Sequence, residues 1–90
     1  MLGLVVEFIA TMVFSMLVVL TGGDGVKLGI GLTAMVIFGS AFNVGHLNPL
    51  VSLITFLNRN SGMTFVRLLS LIIMQTGGAV VGHFLLRLRN

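Results

Sequence analysis

Asn48-Pro49 holds the only proline of the chain and stands midway along an otherwise apolar sequence. The apolar segment that follows it, 50–57, is too short to cross a bilayer. The surrounding stretch, Gly45-His46-Leu47-Asn48-Pro49-Leu50-Val51-Ser52-Leu53, is a polar turn feeding a short helix. Asparagine is a favoured helix N-cap and proline a favoured first helical residue. A helix from Asn48 to about Leu57 is roughly 15 Å long, half of a hydrocarbon core. Entering from one face, it would end near the midplane, with unpaired N–H groups and a partial positive charge aimed at the centre. Such an end attracts carbonyl-like groups or anions and opposes cations and protons. The non-helical residues before it, 43–47, would leave carbonyls unpaired, and in a membrane these must line water or bond to protein.

The flanking sequence supplies the frame. Apolar residues make up 57% of the chain and charged residues 8%, where soluble domains carry about 25% charged. A soluble fold of this size would have no polar surface to offer, so the expectation is a single-domain integral membrane protein spanning 1–90. Residues 2–20 form an apolar run of roughly 28 Å, one hydrocarbon core. It lacks the basic start and small-x-small cleavage site of a signal peptide. Thr21-Gly22-Gly23-Asp24-Gly25 makes a turn. A second crossing is expected over about 26–42, a re-entrant loop and half-helix over 43–57, a polar turn over 58–62, and a third crossing over 64–88. The predicted fold is therefore all-α: three transmembrane helices plus one re-entrant half-helix, in a multi-pass protein of the cell or plasma membrane.

Composition also excludes several functions. There is no cysteine, and two histidines with two acids are too few for a metal cluster. A net charge of +3 with no basic run, tyrosine or tryptophan gives no nucleic-acid footprint. No enzyme chemistry, cofactor or metal is expected.

Three groups of polar residues fall inside the apolar spans. Glu7, Thr11 and Ser15 recur every four residues and share one helix face. An intramembrane carboxylate faces a bundle interior or cavity. It could be a proton or cation site, but an acceptor for the unpaired N–H groups of a re-entrant loop is the expected role. Gln75, Gly78, Ala79 and Gly82 share a face of the last helix, where Gln75 would brace the loop. Gly78 and Gly82 have the spacing for close helix contact. His46 could be a ligand or proton carrier; a satisfied structural histidine is the expected reading.

Glu7-Phe8-Ile9-Ala10-Thr11 resembles the Glu-x-x-x-Thr of the first helix of the aquaporins, the major intrinsic protein family. His46-Leu47-Asn48-Pro49-Leu50-Val51-Ser52 resembles that family's His-x-Asn-Pro-Ala-Val-Thr/Ser signature, and Gln75-Thr76-Gly77-Gly78-Ala79 its Gln-x-x-Gly-Ala. Order and spacing also fit, over nearly the whole chain, and to the N-terminal half-repeat alone. The resemblance implies a channel for water or small neutral solutes such as glycerol. It implies that Asn48, with Pro49 and Leu50, forms a pore constriction in which the Asn48 amide donates to the passing oxygen. The carbonyls of Gly45, His46 and Leu47 would be a polar track, and Glu7, Thr11 and Gln75 buried supports. The narrow filter would take Leu28 or Ile30 from the second helix, aliphatic where an aromatic is common. Leu50 replaces the family's alanine. Asn43-Val44 replaces its Ser-Gly, and valine lacks glycine's access to positive φ, so a different loop backbone is expected.

An aquaporin pore needs two inverted repeats, and these residues hold one Asn-Pro. An inverted copy of the chain could supply the other half, since inverted repeats are a common transporter design. Arg59 and Arg67 would lie on one side of the membrane and Lys27, Arg87 and Arg89 on the other. This near balance suits insertion in both orientations. The expected partners are lipid, a water-like or polyol solute, and further copies in an antiparallel dimer or higher homo-oligomer. Two alternatives are a proton-coupled antiporter using Glu7, resembling the small multidrug resistance proteins, and a non-conducting half-channel fragment or assembly subunit.

Overall fold

The computed structural model of the chain describes residues 2–58 and 61–88. Arg59, Asn60 and Arg89, which enter the turn and charge readings above, lie outside them. The described residues form four helices and no strand: α1 (Leu2–Leu20), α2 (Gly25–Ser40), α3 (Pro49–Leu57) and α4 (Phe65–Arg87). α1 and α4 are long and apolar enough to cross a membrane. α2, with 16 residues, is an apolar helix of roughly 24 Å, shorter than a hydrocarbon core of about 30 Å.

Local chemistry sets these ends. α1 stops at Gly22 and Gly23, whose φ of 64° and 83° no ordinary side chain favours. Asp24 caps α2 by accepting the Lys27 N–H at 3.0 Å. α2 ends two residues before the expected 42, because Phe42 and Val44 both donate backward to the Gly39 carbonyl and Asn43 turns to φ 60°. α3 begins at Pro49, with Asn48 in an extended conformation and its Oδ1 accepting from the Leu50 N–H at 2.8 Å. Thr64 caps α4 through the Arg67 N–H at 3.1 Å.

Glycines fix how the helices pack. A Cβ on Gly78 would lie 2.4 Å from the Phe8 carbonyl oxygen, and one on Gly82 would lie 2.5 Å from that of Met12. Higher numbers on α4 meet higher numbers on α1, so these helices run side by side in the same sense. Ser15 adds a hydrogen bond to the Ala79 carbonyl at 2.7 Å. α2 packs on α1, and α3 rests on α4. The segment leaving α2 folds back on it: a Cβ on Gly39 would meet the Gly45 Cα at 2.5 Å. Val44 enters the small core with Val6 and Leu71. The outer face is apolar, with Ile30, Ile37, Ile54, Val66 and Ile73 all exposed, as a lipid or partner surface requires.

The Gly78 contact is testable. Gly78→Ala should cost about 1–3 kcal/mol, the usual penalty for overpacking, read as a lower melting midpoint in detergent. Gly29→Ala, whose Cβ meets nothing within 4 Å, should melt like the parent. Equal midpoints for both variants would contradict this packing.

Candidate functional site

The chain between α2 and α3 takes positive φ at Asn43 (60°), Gly45 (103°) and Leu47 (58°). Asparagine and glycine tolerate this region; a buried leucine there is uncommon and must be held. Val44, where a departure in backbone was expected, is not among these positions; it serves the core instead. The turns carry two successive N–H groups onto one carboxylate. The His46 N–H donates to Glu7 Oε2 at 3.1 Å, and the Leu47 N–H donates to Oε1 and Oε2 at 3.3 and 3.4 Å. Successive N–H groups converging in this way make an anion-holding concavity. Glu7 is 0% exposed, shut off from bulk solvent.

Two further side chains close the network. Gln75 Nε2 donates to Glu7 Oε2 at 3.1 Å and to Ser52 Oγ at 2.7 Å. Ser52 Oγ lies 2.9 Å from His46 Nδ1. Ser52 Oγ accepts from Gln75, and the histidine tautomer sets which partner donates in the Ser52–His46 contact. The ring of bonds Glu7–His46–Ser52–Gln75 ties α1, the loop, α3 and α4 together. Ser52, 0% exposed, was not singled out as a site residue in the sequence. Its signal is the third position after Pro49, which faces inward one turn from the cap. Thr11, expected as a support, is buried, and its hydroxyl has no hydrogen-bond partner among the described residues; nor has Gln75 Oε1.

On its other side the loop walls an open groove of about 340 Å³. Gly45, His46, Leu47 and Asn48 line it together with Phe14, Leu32, Val36 and Val51. No hydrogen bond among the described residues ends on the carbonyls of Gly45, His46 or Leu47. The Asn48 amide group and the Val51 N–H are likewise unspent as donors. The groove thus offers a short run of acceptors, then donors, against an apolar wall. Asn48, Pro49 and Leu50 are exposed, Leu50 at 64%.

The two second-helix candidates lie on different faces of α2. Ile30 lines a separate groove on the outer face of α2 with Gly25, Gly29 and Thr33. Leu28 is half-buried and lines neither groove. It shares the four-residue spacing of Leu32 and Val36, which wall the Asn48 groove, but stands one turn and more away. Helical geometry explains the split: positions 28, 32 and 36 share a face, and position 30 points away from it. No family model, curated protein or solved structure matches the chain.

Replacing Glu7 by glutamine keeps the shape but sets an NH2 group against donors. A buried N–H left unpaired costs about 1–3 kcal/mol. Hydrogen exchange at the His46 and Leu47 amides should therefore accelerate by roughly tenfold to a hundredfold, while the α1 and α4 amides stay protected. Unchanged exchange at both loop amides would show that Glu7 does not hold them.

Proposed function

We propose that the chain is one half of an aquaporin-like channel for water or small neutral solutes such as glycerol. The observation that carries this reading is the groove beside Asn48. It presents unpaired carbonyls of Gly45, His46 and Leu47, then the Asn48 amide and the Val51 N–H. A hydroxyl-bearing solute both donates and accepts, and this sequence of groups serves it in both roles. An ion would gain little from one open side, and the positive end of α3 opposes cations. Unpaired carbonyls cannot face lipid, so on this reading the groove is lined with water or solute and closed by a second half.

In this arrangement α1, α2 and α4 cross the membrane, and the loop with α3 enters halfway. α2 spans the thinner remainder by continuing into the folded segment 41–44. The second half is an inverted copy of the chain, which brings two Asn48 residues together at the midplane. The roles proposed are Asn48 as donor, the 45–47 carbonyls as track, Leu32 and Val36 as apolar wall, and Glu7, Ser52 and Gln75 as the brace. An antiporter built on Glu7 would need a carboxylate open to solute; this one is fully buried and occupied by three donors.

Osmotic swelling of proteoliposomes tests the reading. The parent should raise water or glycerol permeability above that of empty vesicles. Asn48→Asp keeps the capping oxygen but loses the amide donor, and should lower the flux about tenfold, as loss of one well-placed hydrogen bond would. A parent that forms stable oligomers without permeability would favour a non-conducting subunit. Proton-coupled uptake of a cationic drug, abolished in Glu7→Gln, would favour the antiporter.

A further inference from the structure

On the far side of the loop from the Asn48 groove lies a cavity of about 430 Å³, between the loop, the end of α3 and the start of α4. Its lining includes Asn43, His46, Thr64 and Arg67. The lining carries a cation and uncommitted donors but no carboxylate. The Arg67 guanidinium has no acidic partner: the chain's two acids are Glu7, bound to the loop, and Asp24, at the head of α2. The Thr64 oxygen accepts from the Arg67 N–H, and its proton has no acceptor among the described residues. The Asn43 amide group is unspent, and Nε2 of His46, whose Nδ1 meets Ser52, has no partner among the described residues. Two other hydroxyls of the lining are committed as donors: Thr55 to the Val51 carbonyl at 2.8 Å and Ser61 to the Thr55 carbonyl at 2.7 Å.

The half-buried Arg67, with the Thr64 hydroxyl and the Asn43 amide as further donors and no carboxylate nearby, calls for a ligand that accepts hydrogen bonds and carries negative charge. Gly3 leaves the guanidinium room: a Cβ there would sit 3.4 Å from an Arg67 terminal nitrogen and 3.1 Å from the Phe42 carbonyl. A neutral polyol would leave the charge uncompensated. A carboxylate would use two acceptor atoms, whereas a phosphate presents more oxygens to a spread of donors, and the arginine fork suits it. The volume exceeds the roughly 30 Å³ of one water many times over. We propose that this cavity is a phosphate-binding site, distinct from the solute groove and lying at the membrane interface, where Arg67 at the second residue after the start of α4 would meet a lipid phosphodiester or a soluble phosphate.

Two arms of one experiment separate the sources. Inorganic phosphate is titrated into the purified chain in a non-ionic, phosphate-free detergent and followed by phosphorus NMR. The chain is also placed in vesicles of phosphatidylglycerol with an uncharged glycolipid, and lipid retained on mild extraction is read by native mass spectrometry. Saturable phosphate binding, or selective retention of phosphatidylglycerol, is the expected result in at least one arm. Arg67→Gln should weaken it about tenfold or more, the loss expected for one charge-assisted contact. Asn43→Asp should do the same by placing a carboxylate in the cavity; aspartate tolerates the φ of 60° at that position, so circular dichroism should be unchanged. No saturable binding in either arm, or binding that both variants retain in full, overturns the site.

Discussion

A peptide N–H inside a membrane has no water to turn to, and leaving it unpaired costs several kcal/mol. Any chain that breaks its helix within the bilayer must bring an acceptor to the break. The break between α2 and α3 has such an acceptor in Glu7, whose carboxyl group takes the N–H groups of His46 and Leu47 and the amide of Gln75. The positive φ of Leu47, unfavourable for a leucine alone, is held by these bonds. With the His46 and Leu47 N–H groups turned to Glu7, the planar trans peptides aim the carbonyls of Gly45 and His46 the other way. The same interaction therefore both secures the loop and exposes its acceptors to the groove.

Packing makes that interaction possible. Glu7 and Gln75 belong to helices that meet only because Gly78 and Gly82 admit the α1 backbone. The approach at Gly39 and Gly45 brings the loop back against α2, so that His46 and Leu47 arrive beside Glu7. Ser52 carries the constraint into α3 and fixes the tip where Asn48 stands. A rigid brace and an open groove are then two faces of one short segment. On the proposed reading, a solute passing Asn48 meets groups that do not have to rearrange, which keeps the cost of transfer low.

Much of the frame is readable in the residues. Asn48-Pro49 announces a helix start by cap chemistry, and the spacing of Glu7, Thr11 and Ser15 puts them on one face. The all-helical fold and the apolar runs of α1 and α4 follow from composition and length. What spacing does not give is how the loop folds. The shift of α2's end to Ser40 depends on Val44 reaching back to Gly39, a contact with no periodic signature. Helical spacing does separate Leu32 and Val36, which wall the groove, from Ile30, which faces outward. Ser52 looks like an ordinary residue of a short helix until α4 places Gln75 beside it. The unsatisfied hydroxyl of Thr11 is invisible to pattern altogether, because its face is right and only the distances decide.

The central proposal is that the exposed Asn48–Leu50 edge meets its own inverted copy to close a pore. The absence of cysteine from the chain allows a single one to be introduced and cross-linked in vesicles. The expected result is that Leu50→Cys forms a disulfide-linked dimer under mild oxidation, while Ile30→Cys, on the outer face of α2, stays monomeric. Dimers linked through position 30 and none through position 50 would contradict the half-pore.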